Sequence, residues 1–214
     1  MTDSFRQRLR LRFAKRGDAR FLSHHDLMHS WEMALRRSGL PVKFTEGYNP
    51  RIRLSMPLAL GLGIASEDEI LEIDLEGWTP AGEIRTLLDP HLSPGIVLMD
   101  LDLVQPGQKG QVEWVEYAVR LSDADGEKLR ALMDRQTLIV ERIKEQERKQ
   151  LDIRPYLIEI RREGDQDWRM KLRVTPAGTA RPDEPLKAIG IEGPQVAGML
   201  TKMKTKMEGA KQAT

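Results

Sequence analysis

Gln7-Arg8-Leu9-Arg10-Leu11-Arg12-Phe13 alternates without a break, arginines at 8, 10 and 12 and apolar side chains at 9, 11 and 13. Successive side chains of an extended chain point to opposite faces, so this stretch predicts a strand with one buried and one charged face. The pattern changes past Gly17-Asp18. Leu27, Met28, Trp31, Ala34 and Leu35 recur at helical spacing, Ser23 with Asp26 opens that helix as a capping box, and Gly39 with Pro41 closes it. Arg51–Met56 alternates again, with Ile52, Leu54 and Met56 inward, and Ile70–Leu75 follows with Glu72 and Asp74 outward. Thr79-Pro80 starts a helix bearing Ile84, Leu87 and Leu88, and Ile96–Val104 is a fourth strand with Asp100 and Asp102 outward. The order β-α-β-β-α-β predicts fold class α+β, with a ferredoxin-like unit over residues 1–104.

Residues 105–111 carry two glycines and a proline among polar residues and read as a linker. The rhythm then repeats over 112–193: a strand Val112–Leu121, a capped helix Ser122–Arg135, strands Thr137–Lys144, Tyr156–Arg162 and Trp168–Val174, and a short Pro-initiated helix Pro182–Ile189. We expect a second ferredoxin-like unit in tandem, incomplete or decorated. Over 194–214, Val196, Met199, Leu200, Met203 and Met207 fall at helical spacing with lysines between them, which predicts a C-terminal amphipathic helix and tail.

The chain has 214 residues, 34 Lys+Arg against 33 Asp+Glu, 5% aromatics and no cysteine. Without cysteine it forms no disulfide, no thiolate zinc site, no Cys-anchored iron–sulfur cluster and no thiol nucleophile. No apolar run approaches the ~18 residues of a membrane span, and the N-terminus lacks a signal-peptide core, so a cytoplasmic protein with no membrane partner is expected. The near-zero net charge hides an uneven distribution: residues 1–60 hold 12 Lys/Arg against 5 Asp/Glu, and residues 61–110 hold 2 against 10.

That asymmetry decides how the arginine stripe is read. In a ferredoxin-like sheet the strands lie fourth, first, third, second. Across the open face this places Asp100 and Asp102 beside Arg8, Arg10 and Arg12, then Glu72 and Asp74, then Arg51 and Arg53. Opposite charges on neighbouring strands stabilise by roughly 0.2–1 kcal/mol per pair. A charge ladder is therefore favoured over an RNA phosphate platform, and Arg169, Lys171 and Arg173 repeat the stripe in the second half. A less compensated cluster remains: Arg36, Arg37, Lys43, Arg51 and Arg53 face only Glu46 within eighteen residues. Arg36 and Arg37 are partly explained as cations at a helix C-terminus. The cluster is a candidate phosphate contact.

Three of the four histidines lie in Ser23-His24-His25-Asp26-Leu27-Met28-His29. His25 and His29 share a helix face, but only Glu32 follows on it as a third ligand, so no metal site is expected. Ser23 and Asp26 are best explained as caps, and His24, in line with Met28 and Trp31, as a buried hydrogen-bonding residue. Gly61-Leu62-Gly63 lacks the lysine of a phosphate loop.

The stretch from Phe21 to Leu75 resembles the radical-SAM-associated DUF2344 family, an uncharacterised group. The resemblance is carried by SHxDL (Ser23, His24, Asp26, Leu27), the double arginine Arg36-Arg37, the turn Gly47-Tyr48-Asn49-Pro50, Pro57-Leu58 with Ser66-Glu67, Asp152-Ile153-Arg154-Pro155 and Arg181-Pro182-Asp183-Glu184. The family carries other residues at His25 and His29, which leaves His24 and Asp26 as the better-supported pair. It has His-Pro where this chain has Arg51-Ile52.

The resemblance implies a partner, a radical SAM enzyme of the cobalamin type. A cysteine-free chain cannot perform that chemistry, so it implies a non-catalytic accessory module, RNA-binding or substrate-presenting, with no cofactor of its own. Arg36, Arg37, Lys43, Arg51, Arg53 and Arg154 would then meet RNA phosphates, Tyr48 would stack and Asn49 would touch a base. Two alternatives stand beside it. One is an RNA-processing or RNA-modifying enzyme using His24 and Asp26 as catalytic residues near Tyr48 and Arg154. The other is a protein-interaction module docking through its Met-rich C-terminal helix.

Overall fold

The computed structural model describes residues 6–104, 110–144 and 147–208. The expected linker 105–111 lies outside the described residues except for Gly110 and Gln111. The chain is mixed α+β and divides into two compact units, residues 1–111 and 112–214.

The first unit contains β1 (Arg6–Lys15), α1 (His24–Arg37), β2 (Leu54–Ser55), β3 (Ala65–Glu76), α2 (Ala81–Leu88) and β4 (Ile96–Leu103). Its strands lie β2-β3-β1-β4, every neighbour antiparallel. Leu9, Leu11 and Phe13 of β1 meet Leu71, Ile73 and Leu75 of β3 on the face covered by the helices, which contribute Leu27, Trp31, Ala34, Leu35, Ile84 and Leu88. Trp31 sets its ring edge-on to Phe13 at 4.8 Å between centroids, a favourable quadrupole geometry.

The opposite face of this sheet holds the charge ladder. Arg8 and Arg10 both donate to the Glu72 carboxylate at 2.6 Å, and Arg10 and Glu72 are both buried. Arg12 donates to both Asp68 oxygens at 2.7 and 2.9 Å and lies 4.0 Å from Asp102. The register makes this unavoidable, since Arg8 sits opposite Asp74 and Arg10 opposite Glu72. Gly110 lies so close to Glu72 that a Cβ there would overlap the carboxylate.

The second unit contains β5 (Val112–Arg120), α3 (Asp123–Ala131), a hairpin of β6 (Ile139–Lys144) and β7 (Glu147–Asp152), then β8 (Leu157–Arg162), β9 (Asp167–Thr175), β10 (Gly178–Thr179), α4 (Glu184–Ala188), α5 (Val196–Met199) and β11 (Leu200–Met207). β9 and β11 flank β5, and β8 and β10 pair with separate stretches of β9, all antiparallel. Two members of the stripe on β9, Arg169 and Lys171, are matched here too. Arg169 meets Glu163, Lys171 lies 3.6 Å from Glu159 and over the Trp114 ring, and neighbouring Arg161 donates to Glu116 and Glu159.

Two expectations are corrected. The C-terminal helix is a single turn, Val196–Met199, and Leu200–Met207 is a strand on the edge of β5. Residues 196, 199, 200, 203 and 207 satisfy helical spacing, but Thr201-Lys202-Met203-Lys204-Thr205-Lys206 also alternates. Leu200 and Lys202 are buried, a bulge at Met203 shifts the phase, and Thr205 and Met207 are buried beyond it. The open ladder of β5 supplies backbone partners that an isolated helix lacks. The tail reading therefore gives way to a fourth main strand, and the docking helix is gone. The second correction is β7, a strand missed between Lys144 and Tyr156, where charged residues on both faces hide the alternation.

Two changes test this packing. Gly126 of α3 lies against Trp168, and a Cβ there would overlap the indole. Gly126→Ala gains helix propensity of up to about 1 kcal/mol, so a net loss in denaturant melts, about 1–3 kcal/mol from overpacking, is the expected signature of that contact. Glu72→Gln removes the carboxylate shared by two guanidinium groups, and the melt should register a loss of about 3–5 kcal/mol.

Candidate functional site

The chain between α1 and β2 forms a small tongue anchored on β3. Lys43 N–H donates to Asp74 O at 2.8 Å, Arg53 N–H to Lys43 O at 2.7 Å, and Glu76 N–H to Pro41 O at 2.7 Å. Val42 bridges Leu75, Phe44 bridges Ile52, and Val42 and Ile52 are buried, which roots the tongue in the core. Further out, Thr45 N–H donates to Arg51 O and Arg51 N–H to Thr45 Oγ1 at 3.0 Å. The chain turns beyond them at Gly47, whose φ of +132° is a conformation only glycine adopts easily. Tyr48 and Asn49 follow at the tip, and Tyr48 is 101% exposed, touching nothing with its ring.

The basic cluster gathers around this tongue. Arg36 and Arg37 occupy the last turn of α1, both exposed, and the Arg36 guanidinium stands 5.4 Å over the exposed Phe44 ring. Lys43, half-buried, and Arg51, exposed, lie on the two arms. Among the described residues Arg36, Arg37, Lys43 and Arg51 form no ion pair. Arg53 differs, because its Nε lies 3.2 Å from Asp74, whose carboxylate also faces Arg8 at 4.0 Å. A pocket of about 200 Å³ at the foot of the tongue is lined by Arg8, Arg53, Ser55, Glu72 and Asp74. Its charges cancel within it, so the free positive charge lies above it, on the tongue and the helix end.

His24 and Asp26 sit at the other end of α1. His24 and Arg36 are twelve residues apart on the helix, about 18 Å at its rise per residue. His24 is exposed, a correction to the buried role expected for it, because it occupies the first helical position where the side chain points to water. Asp26 is also exposed and acts as a cap partner. Ser23 Oγ accepts from Asp26 N–H at 3.1 Å and donates to the Asp26 carboxylate at 2.7 Å. That hydroxyl holds the Asp26 carboxyl below its ordinary range, with smaller help from His25 and His29. An acid–base pair needs a shared substrate position, and this arrangement gives a helix cap. Among the described residues no three His, Asp or Glu side chains come together as metal ligands.

Arg154 belongs to the second unit, and three of its five N–H donors are taken. It donates to Met133 O at 2.7 Å, Arg135 O at 3.0 Å and Leu157 O at 3.1 Å, so it ties a turn together. Its neighbour Asp152 accepts from Leu138 N–H and Arg154 N–H. Glu184 holds Arg142 of the β6–β7 hairpin by two bonds of 2.6 and 2.9 Å and accepts from Arg181 N–H. The bond to Glu184 is the main cause raising the Arg142 guanidinium above its usual range.

Sequence reasoning missed two groups. Phe44, under Arg36, was signalled only by its place between basic residues. Lys15 and Glu69 are both buried at the far end of β1 and β3, where Lys15 Nζ donates to Leu22 O at 3.2 Å. Their signal was present in the alternation, since both occupy inward positions. The same end brings Ser66 and Glu67 beside the end of β1 and the turn before α1, with Arg16 paired to Glu67 and Gly63 N–H donating to Arg20 O.

The Asp26 assignment carries its own check. A lowered carboxyl contributes stability above the ordinary carboxylate range and loses it as pH falls through the folded value. In Ser23→Ala an NMR titration should find the Asp26 midpoint moved up toward the ordinary range, with this acid-side contribution gone. An unmoved midpoint would refute the hydroxyl as its cause.

No curated protein matches the sequence. Residues 8–182 match the family described as "Uncharacterized protein conserved in bacteria (DUF2344)", a span that takes in the ladder, α1, the tongue and most of the second unit. The chain belongs to the DUF2344 family.

Proposed function

We propose that this chain is a non-catalytic RNA-binding module, built as two tandem ferredoxin-like units, that serves a radical SAM enzyme of the cobalamin type. The β2-β3-β1-β4 order of the first unit, and the placement of β9, β5 and β11 in the second, support the architecture. The absence of cysteine supports the accessory role, because the three thiolates such an enzyme's iron–sulfur cluster needs must come from the partner.

One observation carries the RNA reading. Arginines on the first sheet's open face are matched by carboxylates, whereas Arg36, Arg37, Lys43 and Arg51 stand at one corner with no ion pair among the described residues. Side chains held near one another without counter-charges repel, and a phosphate backbone relieves that repulsion while releasing its own counterions. The enzymatic alternative has less behind it, since Asp26 is engaged by the Ser23 hydroxyl at the helix cap and both His24 and Asp26 lie a helix length from Arg36 and Arg37.

Fluorescence anisotropy with labelled RNA across a salt series tests this. Three or four phosphate contacts predict a log K against log[salt] slope of about −2 to −3, and Arg37→Ala with Arg51→Ala should flatten it by about 1.4. Absent binding, or binding indifferent to salt and to these substitutions, would overturn the proposal.

A further inference from the structure

We infer that the tongue recognises unpaired nucleotides, with the Tyr48 ring as the platform on which a base stacks. The inference rests on the RNA reading and names the form of RNA the same corner takes.

Three observations carry it. The Tyr48 ring is fully exposed at the tip of a tongue whose root is buried in the core, so a rigid base presents an unpacked aromatic face. A second ring, Phe44, lies on the same tongue, and its face carries the Arg36 guanidinium. Cations without a carboxylate partner among the described residues, Lys43 and Arg51 on the two arms and Arg36 and Arg37 on the helix end, accompany these rings. An aromatic face meets a base face only where the base is free of a duplex stack, whereas duplex RNA shows a protein its phosphates and 2′-hydroxyls. Recognition of a duplex by shape needs cations spread across a groove, and here they sit at one corner. Rings interleaved with cations are the composition of single-strand grooves, in which stacking is indifferent to base identity and phosphate contact supplies the salt dependence. Asn49, beside Tyr48 and exposed, offers both a donor and an acceptor to a base edge.

The test compares a short unstructured RNA oligonucleotide with the same strand annealed to its complement, both labelled and titrated with the full chain. The single strand should bind about tenfold or more tightly than the duplex. Tyr48→Ala should remove most of that advantage, roughly a tenfold loss on the single strand with duplex binding unchanged, and Tyr48→Phe should retain it. Tyr48 packs on nothing, so neither change threatens folding, and a circular dichroism melt confirms this. Equal binding of the two forms, or a Tyr48→Ala variant that binds single strands as wild type does, overturns the inference and leaves the RNA reading standing. Failure to bind either form overturns both.

Discussion

Glu72 is the group on which the first unit turns. Its carboxylate is buried on the open face of the sheet and accepts from two arginines, one of them buried as well. A lone buried carboxylate would be strongly destabilising, and so would either guanidinium without it. The three fix one another, and the antiparallel register of β1 against β3 is the arrangement that brings them together. Slipping β1 by one residue would turn the arginines into the apolar core and the leucines onto the charged face. The same pairing then determines where positive charge is left over. Arg8, Arg10, Arg12, Arg16 and Arg53 are absorbed by Glu67, Asp68, Glu72 and Asp74, whereas Arg36, Arg37, Lys43 and Arg51, raised off the sheet on the tongue and at the end of α1, have no carboxylate partner among the described residues.

Much of this was legible. The alternation Arg8–Phe13, the opposing acids of Ile70–Leu75 and the helical spacing Leu27–Leu35 each carry one period and one burial pattern, and the observed elements follow them. Ambiguity entered where a segment satisfies two periods. Leu200–Met207 fits a helix by its apolar spacing and a strand by its alternation, and the choice was made by β5, whose edge needed a partner that no local signal reveals. The β7 arm of the hairpin, Glu147–Asp152, was missed for the opposite reason. Charged residues on both of its faces leave no period to read, and the hairpin is tied to the rest of the unit by Arg142, whose bidentate bond to Glu184 spans forty-two residues of sequence.

Site residues were legible in proportion to how local their surroundings are. Arg36 and Arg37 end a helix, and that alone exposes them. Ser23 and Asp26 cap its other end, and their role needs only three residues to explain. Arg53 and Arg154 could not be assigned this way. Arg53 fits the sequence both as a rung of the ladder and as a free cation, and only the fold shows it on Asp74; Arg154 looks free and bonds three backbone carbonyls, two of them about twenty residues away.

The motifs by which the sequence resembles its family sort in the same manner. Asp152 and Arg154 close a turn, Glu184 anchors a hairpin, Ser23 and Asp26 cap a helix, Ser66 is buried, and Glu67 pairs with Arg16. Gly47 supplies a backbone conformation, and Pro50 restricts the chain after it. Each of these is explained by what it holds in place. A turn of this kind, however, requires nothing of the side chain at Tyr48. A ring that adds apolar surface to water without packing on anything makes the folded state no more stable, and serine or asparagine would serve the turn as well. Tyr48 therefore has no structural explanation of its own, and it shares the tongue with Lys43 and Arg51, which have no carboxylate partner among the described residues. The shared lack of a counter-charge, at one corner beside a sheet whose arginines are matched by carboxylates, is the property that a stacked, negatively charged strand would complete.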